Sequence, residues 1–115
     1  MSRKLYVGYN NGIRDVLEYS DDGGKTKTGY DLTAATFTSL TLQIGTAGAF
    51  VIERDNVTHA SEFDLSSDGT VVWTPGSGVV ATADLGLAQE CRWVLVTTTY
   101  PQGIVIVADN VDVVA

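Results

Sequence analysis

The chain has almost no cysteine or histidine. Its 115 residues include one of each, Cys91 and His59. A single cysteine excludes an internal disulfide, and one residue of each kind is too few for a zinc site built from cysteine and histidine. Because Cys91 alternates with strand-forming residues, we expect a small buried side chain there, with Arg92 pointing to the opposite face. We expect His59 to lie on an exposed edge or loop.

A long apolar run is also missing. A membrane-spanning helix needs about 20 consecutive apolar residues, and the apolar runs of this chain are far shorter. The N-terminal stretch from Met1 to Gly8 contains no apolar segment of the kind found in signal peptides. We therefore predict no membrane insertion.

Basic residues are nearly absent from the second half of the chain. Residues 1–54 carry six basic and six acidic side chains, whereas residues 55–115 carry one basic residue, Arg92, and eight acidic ones. The second half therefore accounts for the whole net charge of −7. A chain with this charge distribution has no basic groove for DNA or RNA, so we predict no nucleic-acid partner.

Sequence motifs of common enzymes are absent as well. There is no G-x-S-x-G nucleophile motif, no glycine-rich phosphate loop and no H-E-x-x-H zinc motif. The paired carboxylates, such as Asp109 with Asp112, lie at turns, where aspartate is favoured for backbone reasons. Residues 21–24 lack the alternating ligand spacing of an EF-hand loop, although a calcium-binding loop remains an alternative. We predict a protein that is not an enzyme and that has no cofactor and no metal site.

Short β-branched and aromatic runs, separated by glycine, proline, asparagine and aspartate, make up most of the sequence. This pattern is typical of an antiparallel β-protein. We predict an all-β fold: an antiparallel β-sandwich, immunoglobulin-like, with eight or nine short strands in a single domain over residues 1–115.

Turn signals suggest how the strands pair. The turn at residues 10–12 predicts a hairpin between residues 3–9 and 13–19, and residues 90–99 and 103–107 form a second predicted hairpin. Three further expectations are that residues 79–88 form a short helical turn or an irregular crossing, that Phe50 and Ile52 point the same way, and that Asp109-Asn110 ends a strand before a last one begins.

The two tryptophans could lie either in the hydrophobic core or on a binding surface. Trp73 and Trp93 lie in runs of valine and leucine, so we expect them in the hydrophobic core. The alternative is that they stack against sugar rings, which would make the chain a carbohydrate- or receptor-binding module.

A series of short motifs resembles the N-terminal β-sandwich domain of the phage baseplate upper protein family over residues 31–114. The motifs begin strands or follow a crossing, and in chain order they are Asp31-Leu32-Thr33, Ser67-Asp68-Gly69-Thr70-Val71-Val72-Trp73, Asp84-Leu85-x-Leu87, a strand centred on Trp93, a turn closed by Gly103 and a terminal valine strand. Residues 4–16 also resemble a hairpin of phage structural proteins.

The resemblance implies a structural role. A protein of this kind is expected in the virion of a tailed phage, in its tail, baseplate or neck, after synthesis in the cytoplasm of the host bacterium. Its partners would be other virion proteins and further copies of itself. The position in the virion and the stoichiometry stay open.

Residues 1–30 are predicted to form an N-terminal hairpin or extension beside the sandwich body of residues 31–114. They hold four of the five tyrosines and five of the seven basic residues, and tyrosine and arginine are enriched at protein interfaces. We expect a homo-oligomer, and a folded monomer once residues 1–20 are deleted. The alternative is that residues 3–20 belong to the sandwich itself. The predicted assembly interface consists of Arg3, Tyr6, Tyr9, Arg14, Tyr19 and Tyr30.

Overall fold

The computed structural model describes residues 3–20, 22–34, 37–46, 48–97 and 104–115. Within these ranges the chain forms ten β-strands and two 3₁₀ turns, Ala60–Glu62 and Thr82–Asp84. The strands are β1 (Arg3–Tyr6), β2 (Ile13–Val16), β3 (Glu18–Tyr19), β4 (Thr28–Gly29), β5 (Phe37–Thr46), β6 (Ala49–Asp55), β7 (Phe63–Leu65), β8 (Thr70–Trp73), β9 (Gly86–Thr97) and β10 (Ile104–Val114).

The strands form a five-stranded sheet in the order β1-β10-β9-β5-β6, a three-stranded sheet β2-β8-β7 and a small ribbon β3-β4. Neighbouring strands are antiparallel except β1 and β10, which run parallel. Without the ribbon, the orders β2-β8-β7 and β10-β9-β5 are those of the B-E-D and G-F-C sheets of an immunoglobulin-type sandwich. The predicted all-β, immunoglobulin-like sandwich is therefore confirmed.

One hydrophobic core holds the molecule together. Cys91, Trp73 and Trp93 are completely buried, as predicted. This burial also excludes the two tryptophans as exposed platforms for sugar rings. Among the residues that the structure describes, the other core side chains are Leu5, Ile13, Leu17, Tyr30, Leu32, Leu40, Leu42, Ile44, Ile52, Val71, Val80, Leu95, Val111 and Val113.

The predicted N-terminal hairpin is wrong. β1 pairs with β10, with Leu5 opposite Val113, whereas β2 pairs with β8, with Ile13 opposite Trp73. The turn between them therefore carries the chain from one sheet to the other. A hairpin would leave Leu5 and Ile13 on one sheet, while this crossing places them in the core from opposite sides.

The strand count and one strand end also differ from the prediction. The described residues contain ten strands rather than eight or nine, because the ribbon β3-β4 is an addition to the sandwich. β10 does not end at Asp109-Asn110: it continues through a register shift between Val107 and Asp109 against β9. A β-bulge absorbs a residue without ending the ladder, so turn-forming residues are tolerated there.

The prediction that Phe50 and Ile52 point the same way is also wrong. Ile44 pairs with Ile52 and Gly45 with Phe50, so β6 has one additional residue, Val51, at this point. Such a bulge shifts the alternation of side chains. As a result Phe50 lies under the guanidinium of Arg92, 4.4 Å from the ring centroid, while Ile52 is buried.

Two other predictions are confirmed. β9 and β10 pair as an antiparallel hairpin, with Ile104 opposite Leu95, although the predicted turn at residues 100–103 lies outside the described residues. The predicted crossing is confirmed for residues 79–85, which contain the 3₁₀ turn Thr82–Asp84, whereas residues 86–88 already belong to β9. In the described part of the chain, no helix is long and apolar enough to cross a membrane.

Candidate assembly surface

The first two strands are built into the sandwich. Leu5, Ile13 and Leu17 are at most 2% exposed and belong to the same core as the later strands. The backbone N–H of Leu17 also donates to the carbonyl of Gly69 at 2.8 Å. These contacts favour the alternative that residues 3–20 belong to the sandwich, so only the outward-facing side chains of this segment are open to a partner.

The six residues of the predicted interface do not form one surface: Arg14 is exposed on β2 of the three-stranded sheet, whereas Tyr6 lies on β1 of the five-stranded sheet. Tyr6 and Tyr9 are 44% and 67% exposed. Tyr30, by contrast, is 5% exposed and packs against the half-buried Tyr19, with ring centroids 4.9 Å apart. The Tyr19–Tyr30 pair therefore supports the core beside the β3-β4 ribbon, and little of Tyr30 is left for a partner.

Arg3 contacts the interior of its own chain. Its guanidinium makes a two-pronged ion pair with the carboxylate of Asp15, with Nη1 donating to Oδ2 at 2.8 Å. The same Oδ2 accepts a hydrogen bond from Nε1 of Trp93 at 2.7 Å. Arg3 lies on β1, Asp15 on β2 and Trp93 on β9, so this Arg3 cluster connects the two sheets.

A second cluster repeats the same chemistry. Nε of Arg54 donates to Oε1 of Glu62 at 3.1 Å, and Nη2 pairs with Oε2. Trp73 donates from Nε1 to Oε1 of Glu62 at 2.9 Å. The hydrogen bond from Arg54 holds the pKa of Glu62 below its ordinary value, against the opposing effect of burial. This Arg54 cluster also connects the sheets, from β6 to β8.

Sequence reasoning missed both clusters, although one signal was present. Asp15 lies two residues after Ile13 and two residues before Leu17. In a strand these three side chains share one face, so the carboxylate points inward with the two apolar residues. A charge in such a position needs a partner. Which partner it finds depends on residues far away in sequence, and that information is not in the local pattern.

The exposed tyrosines stand on a well-defined turn, which we call the tyrosine turn (residues 6–9). The side chain of Asn11 accepts from the backbone N–H of Tyr6 at 2.8 Å. It also donates to the carbonyls of Tyr6 and Tyr9 at 3.0 and 2.9 Å. The N–H of Gly8 donates to the carbonyl of Val80 at 3.2 Å. These bonds fix the backbone from which both phenol rings project.

The outer face of the five-stranded sheet carries a polar groove of about 280 Å³. Nε2 of Gln43 donates to Oε2 of Glu53 at 2.7 Å across the groove. Asp55 accepts from the backbone N–H of Thr58 at 2.9 Å, a bond that lowers the pKa of Asp55. The groove is lined by Ser39, Thr41, Gln43, Glu53, Asp55 and Val94.

His59 lies just beyond this groove, in the turn that follows β6. It is half-buried, with Nδ1 3.9 Å from Oδ1 of Asp55. The described residues contain no group of three or more histidine, cysteine, aspartate or glutamate side chains placed to hold a metal ion.

Comparison with known proteins leaves the fold and the exposed side chains as the guide to function. No protein family model matches the chain, and no curated protein is significantly similar to it. The described surface offers exposed aromatic rings and a polar groove, both of which are suited to non-covalent contacts.

Proposed function

We propose that this chain is a non-enzymatic structural protein of a tailed-phage virion, located in the tail, baseplate or neck. In this role it assembles with other virion proteins and with further copies of itself. The order of motifs over residues 31–114, which resembles a phage baseplate family, supports the virion assignment. The observation that carries the assembly role is the tyrosine turn, with Tyr6 and Tyr9 exposed on a fixed backbone.

Exposed tyrosines suit an assembly surface for two reasons. A phenol ring combines apolar area with a hydroxyl that can donate and accept hydrogen bonds, and tyrosine is frequent among the residues that dominate binding energy. A backbone already held by Asn11 loses little freedom on binding, which lowers the entropic cost of association.

Detection of the protein in phage particles tests the virion assignment. We expect its peptides in particles purified from an infected or induced culture of the strain that carries the gene, at a constant ratio to known tail proteins across a density gradient. Presence in the infected cell but absence from the particles would contradict the proposal.

Substitution of the tyrosines tests the assembly role. We expect Tyr6→Ala and Tyr9→Ala to lower the mass measured by light scattering while the melting temperature changes little, because both side chains are exposed. Val57→Ala is a matched control, since Val57 is 68% exposed in a different loop. An equal loss of mass in the control would show that any exposed apolar residue has the same effect.

A second candidate function is saccharide binding, and the polar groove favours it. Its hydroxyl, amide and carboxylate groups can hydrogen-bond to sugar hydroxyls, and Val94 supplies an apolar contact. Because two carboxylates and no basic side chain line the groove, a neutral or amino sugar fits better than an acidic one. Binding on a glycan array that is lost in Gln43→Ala but kept in Tyr9→Ala would support this function.

A further inference from the structure

β2 is an edge strand of the three-stranded sheet, and its outer side continues into β3. Only Leu17 separates the two strands. The N–H of Leu17 donates to the carbonyl of Gly69 at 2.8 Å, and the carbonyl of Leu17 accepts from the N–H of Tyr30 at 2.9 Å. Both bonds point towards β8 and β4, so residues 13–19 have one partnered side and one outer side.

Three residues direct their backbone groups to this outer side. In an antiparallel ladder the N–H and C=O of successive residues point alternately to the two sides of the strand. Because those of Leu17 point towards β8 and β4, those of Arg14, Val16 and Glu18 point away from both. Among the described residues, no turn or side chain is bonded to the backbone of these three. We call these three residues the β2 edge.

We propose that two copies of this chain associate through the β2 edge, in an antiparallel pair with Val16 of one copy opposite Val16 of the other. The contact places a two-fold axis at Val16 and joins the three-stranded sheets of the two copies. This proposal rests on the proposed assembly function and names a partner, a second copy, and the surface that binds it. Adding a strand to an exposed edge is a common way for β-proteins to bind, and two-fold contacts are the commonest between identical chains.

The backbone favours this register. With Val16 opposite Val16, Arg14 of each copy lies opposite Glu18 of the other. All of these residues direct their N–H and C=O across the contact, and residues paired in this way exchange two hydrogen bonds. A shift of one residue would place them opposite residues whose backbone groups point towards their own sheet, and these hydrogen bonds would be lost.

The side chains of the β2 edge are complementary to themselves. All three are exposed, and neither Arg14 nor Glu18 makes an ion pair with another described residue. Across the contact each Arg14 faces a Glu18, an opposite-charge pair that is favourable between antiparallel strands. The two-fold axis repeats this pair. Val16 is 44% exposed in the single chain, and the two copies would cover this apolar surface.

The inner side of β2 is also compatible with the contact. There Asp15 of one copy would lie opposite Leu17 of the other. An inward-pointing charge on an edge strand limits unspecific pairing, but the carboxylate of Asp15 is already paired with Arg3 of its own chain. The β2 edge is short, and small contacts are weak. We therefore expect stable assembly to require the tyrosine turn as well.

Cysteine cross-linking of the 115-residue chain tests the contact. Residues opposite each other in a hydrogen-bonded antiparallel pair have Cα atoms about 5.5 Å apart, a distance that a disulfide bridges. Val16→Cys should therefore form a cross-linked dimer under mild oxidation. Val57→Cys, at an exposed position in a different loop, is the control and should cross-link much less, while the native Cys91 is buried. Equal cross-linking of the two variants would overturn the proposal.

Charge reversal adds a measurement that depends on the two-fold symmetry. Arg14→Glu leaves two carboxylates on the β2 edge and Glu18→Arg leaves two cations, so each variant should weaken its own self-association several-fold through like-charge repulsion. An equimolar mixture of the two variants should recover association, because every cation then faces a carboxylate. Both positions are exposed, so the melting temperatures should match that of the unmodified chain.

The outcomes separate this contact from self-assembly in general. Oligomers by light scattering that give no Val16→Cys cross-link, or no recovery in the mixture, would overturn the contact at the β2 edge but leave the proposed assembly function standing. A monomer at all concentrations would overturn both.

Discussion

Nε1 of Trp93 donates a 2.7 Å hydrogen bond to Oδ2 of Asp15, a residue 78 positions earlier in the chain. Asp15 lies on β2 and Trp93 on β9, which correspond to the two strands joined by the disulfide of antibody domains. With one cysteine, this chain cannot form that bond. A carboxylate held between an indole and the guanidinium of Arg3 connects the two sheets instead.

Removal of the Asp15 carboxylate should therefore destabilise the fold. Asp15→Ala leaves the Trp93 N–H without its carboxylate and Arg3 without its counter-charge, and we expect a loss of roughly 2–4 kcal/mol in the free energy of unfolding. Urea denaturation followed by tryptophan fluorescence measures it. Asp64→Ala, which removes an exposed carboxylate on β7, should change stability by less than about 0.5 kcal/mol. Equal effects in the two variants would contradict this role for Asp15.

The sequence predicts the sandwich well because its strands have clear local signals. Leu40, Leu42 and Ile44 alternate with polar residues, and all three are buried on one face of β5. The strand partners of the N-terminal segment could not be predicted, because the turn at residues 10–12 suits both a hairpin and a crossing between sheets. That choice depends on how the core packs: Leu5 enters it from the five-stranded sheet and Ile13 from the three-stranded sheet.

The candidate assembly surface could likewise be predicted only in part. Composition points to the N-terminal tyrosines, and Tyr6 and Tyr9 are indeed exposed, whereas Tyr30 is buried. Composition does not distinguish a tyrosine in the core from a tyrosine on the surface. Only the packing of the folded chain shows which one is exposed. The position of Val51 at a bulge likewise follows from strand register, which local patterns do not specify.

Stability should fall in acid, partly because of Glu62. The hydrogen bond from Arg54 lowers the pKa of Glu62 in the folded state below the ordinary value of 4.5. The ionised form is therefore favoured by folding, so this contribution is present above pH 4.5 and is lost as the pH falls through the lowered pKa. Hydrogen bonds from the Thr26 backbone and from Ser20 lower the pKa of the exposed Asp22 to about 2.

Glu62→Gln tests this pH dependence. Glutamine keeps an oxygen for Trp73 but does not ionise, so the free energy of unfolding should decline less steeply below pH 4.5 than in the unmodified chain. Urea denaturation at a series of pH values measures both slopes. Parallel curves for the two proteins would show that Glu62 does not contribute to the acid sensitivity.

Gly69 should resist substitution because two backbones meet there. Its φ is +91°, and a Cβ atom would lie 2.3 Å from the carbonyl oxygen of Leu17. Gly69→Ala should therefore cost more than about 1 kcal/mol. Gly76→Ala is the matched control, since a Cβ there meets nothing within 4 Å. We expect thermal melts to separate the two variants clearly, and similar melting temperatures would refute the close approach.

Deletion of residues 1–20 should unfold the protein rather than leave a folded monomer. It removes Leu5, Ile13 and Leu17 from the core and takes Asp15 away from Trp93. We expect the truncated chain to lose its cooperative thermal transition and its β-type circular dichroism spectrum. A folded truncated chain would show that the N-terminal strands are dispensable for the sandwich.

Light scattering of the purified 115-residue chain, from dilute to concentrated solution, measures self-assembly itself. We expect a mass that rises with concentration to a multiple of the 12.2 kDa chain. The mass should fall back towards that of one chain when Tyr6 and Tyr9, the exposed rings of the tyrosine turn, are both replaced by serine. A mass of one chain at every concentration would show that the protein does not self-assemble.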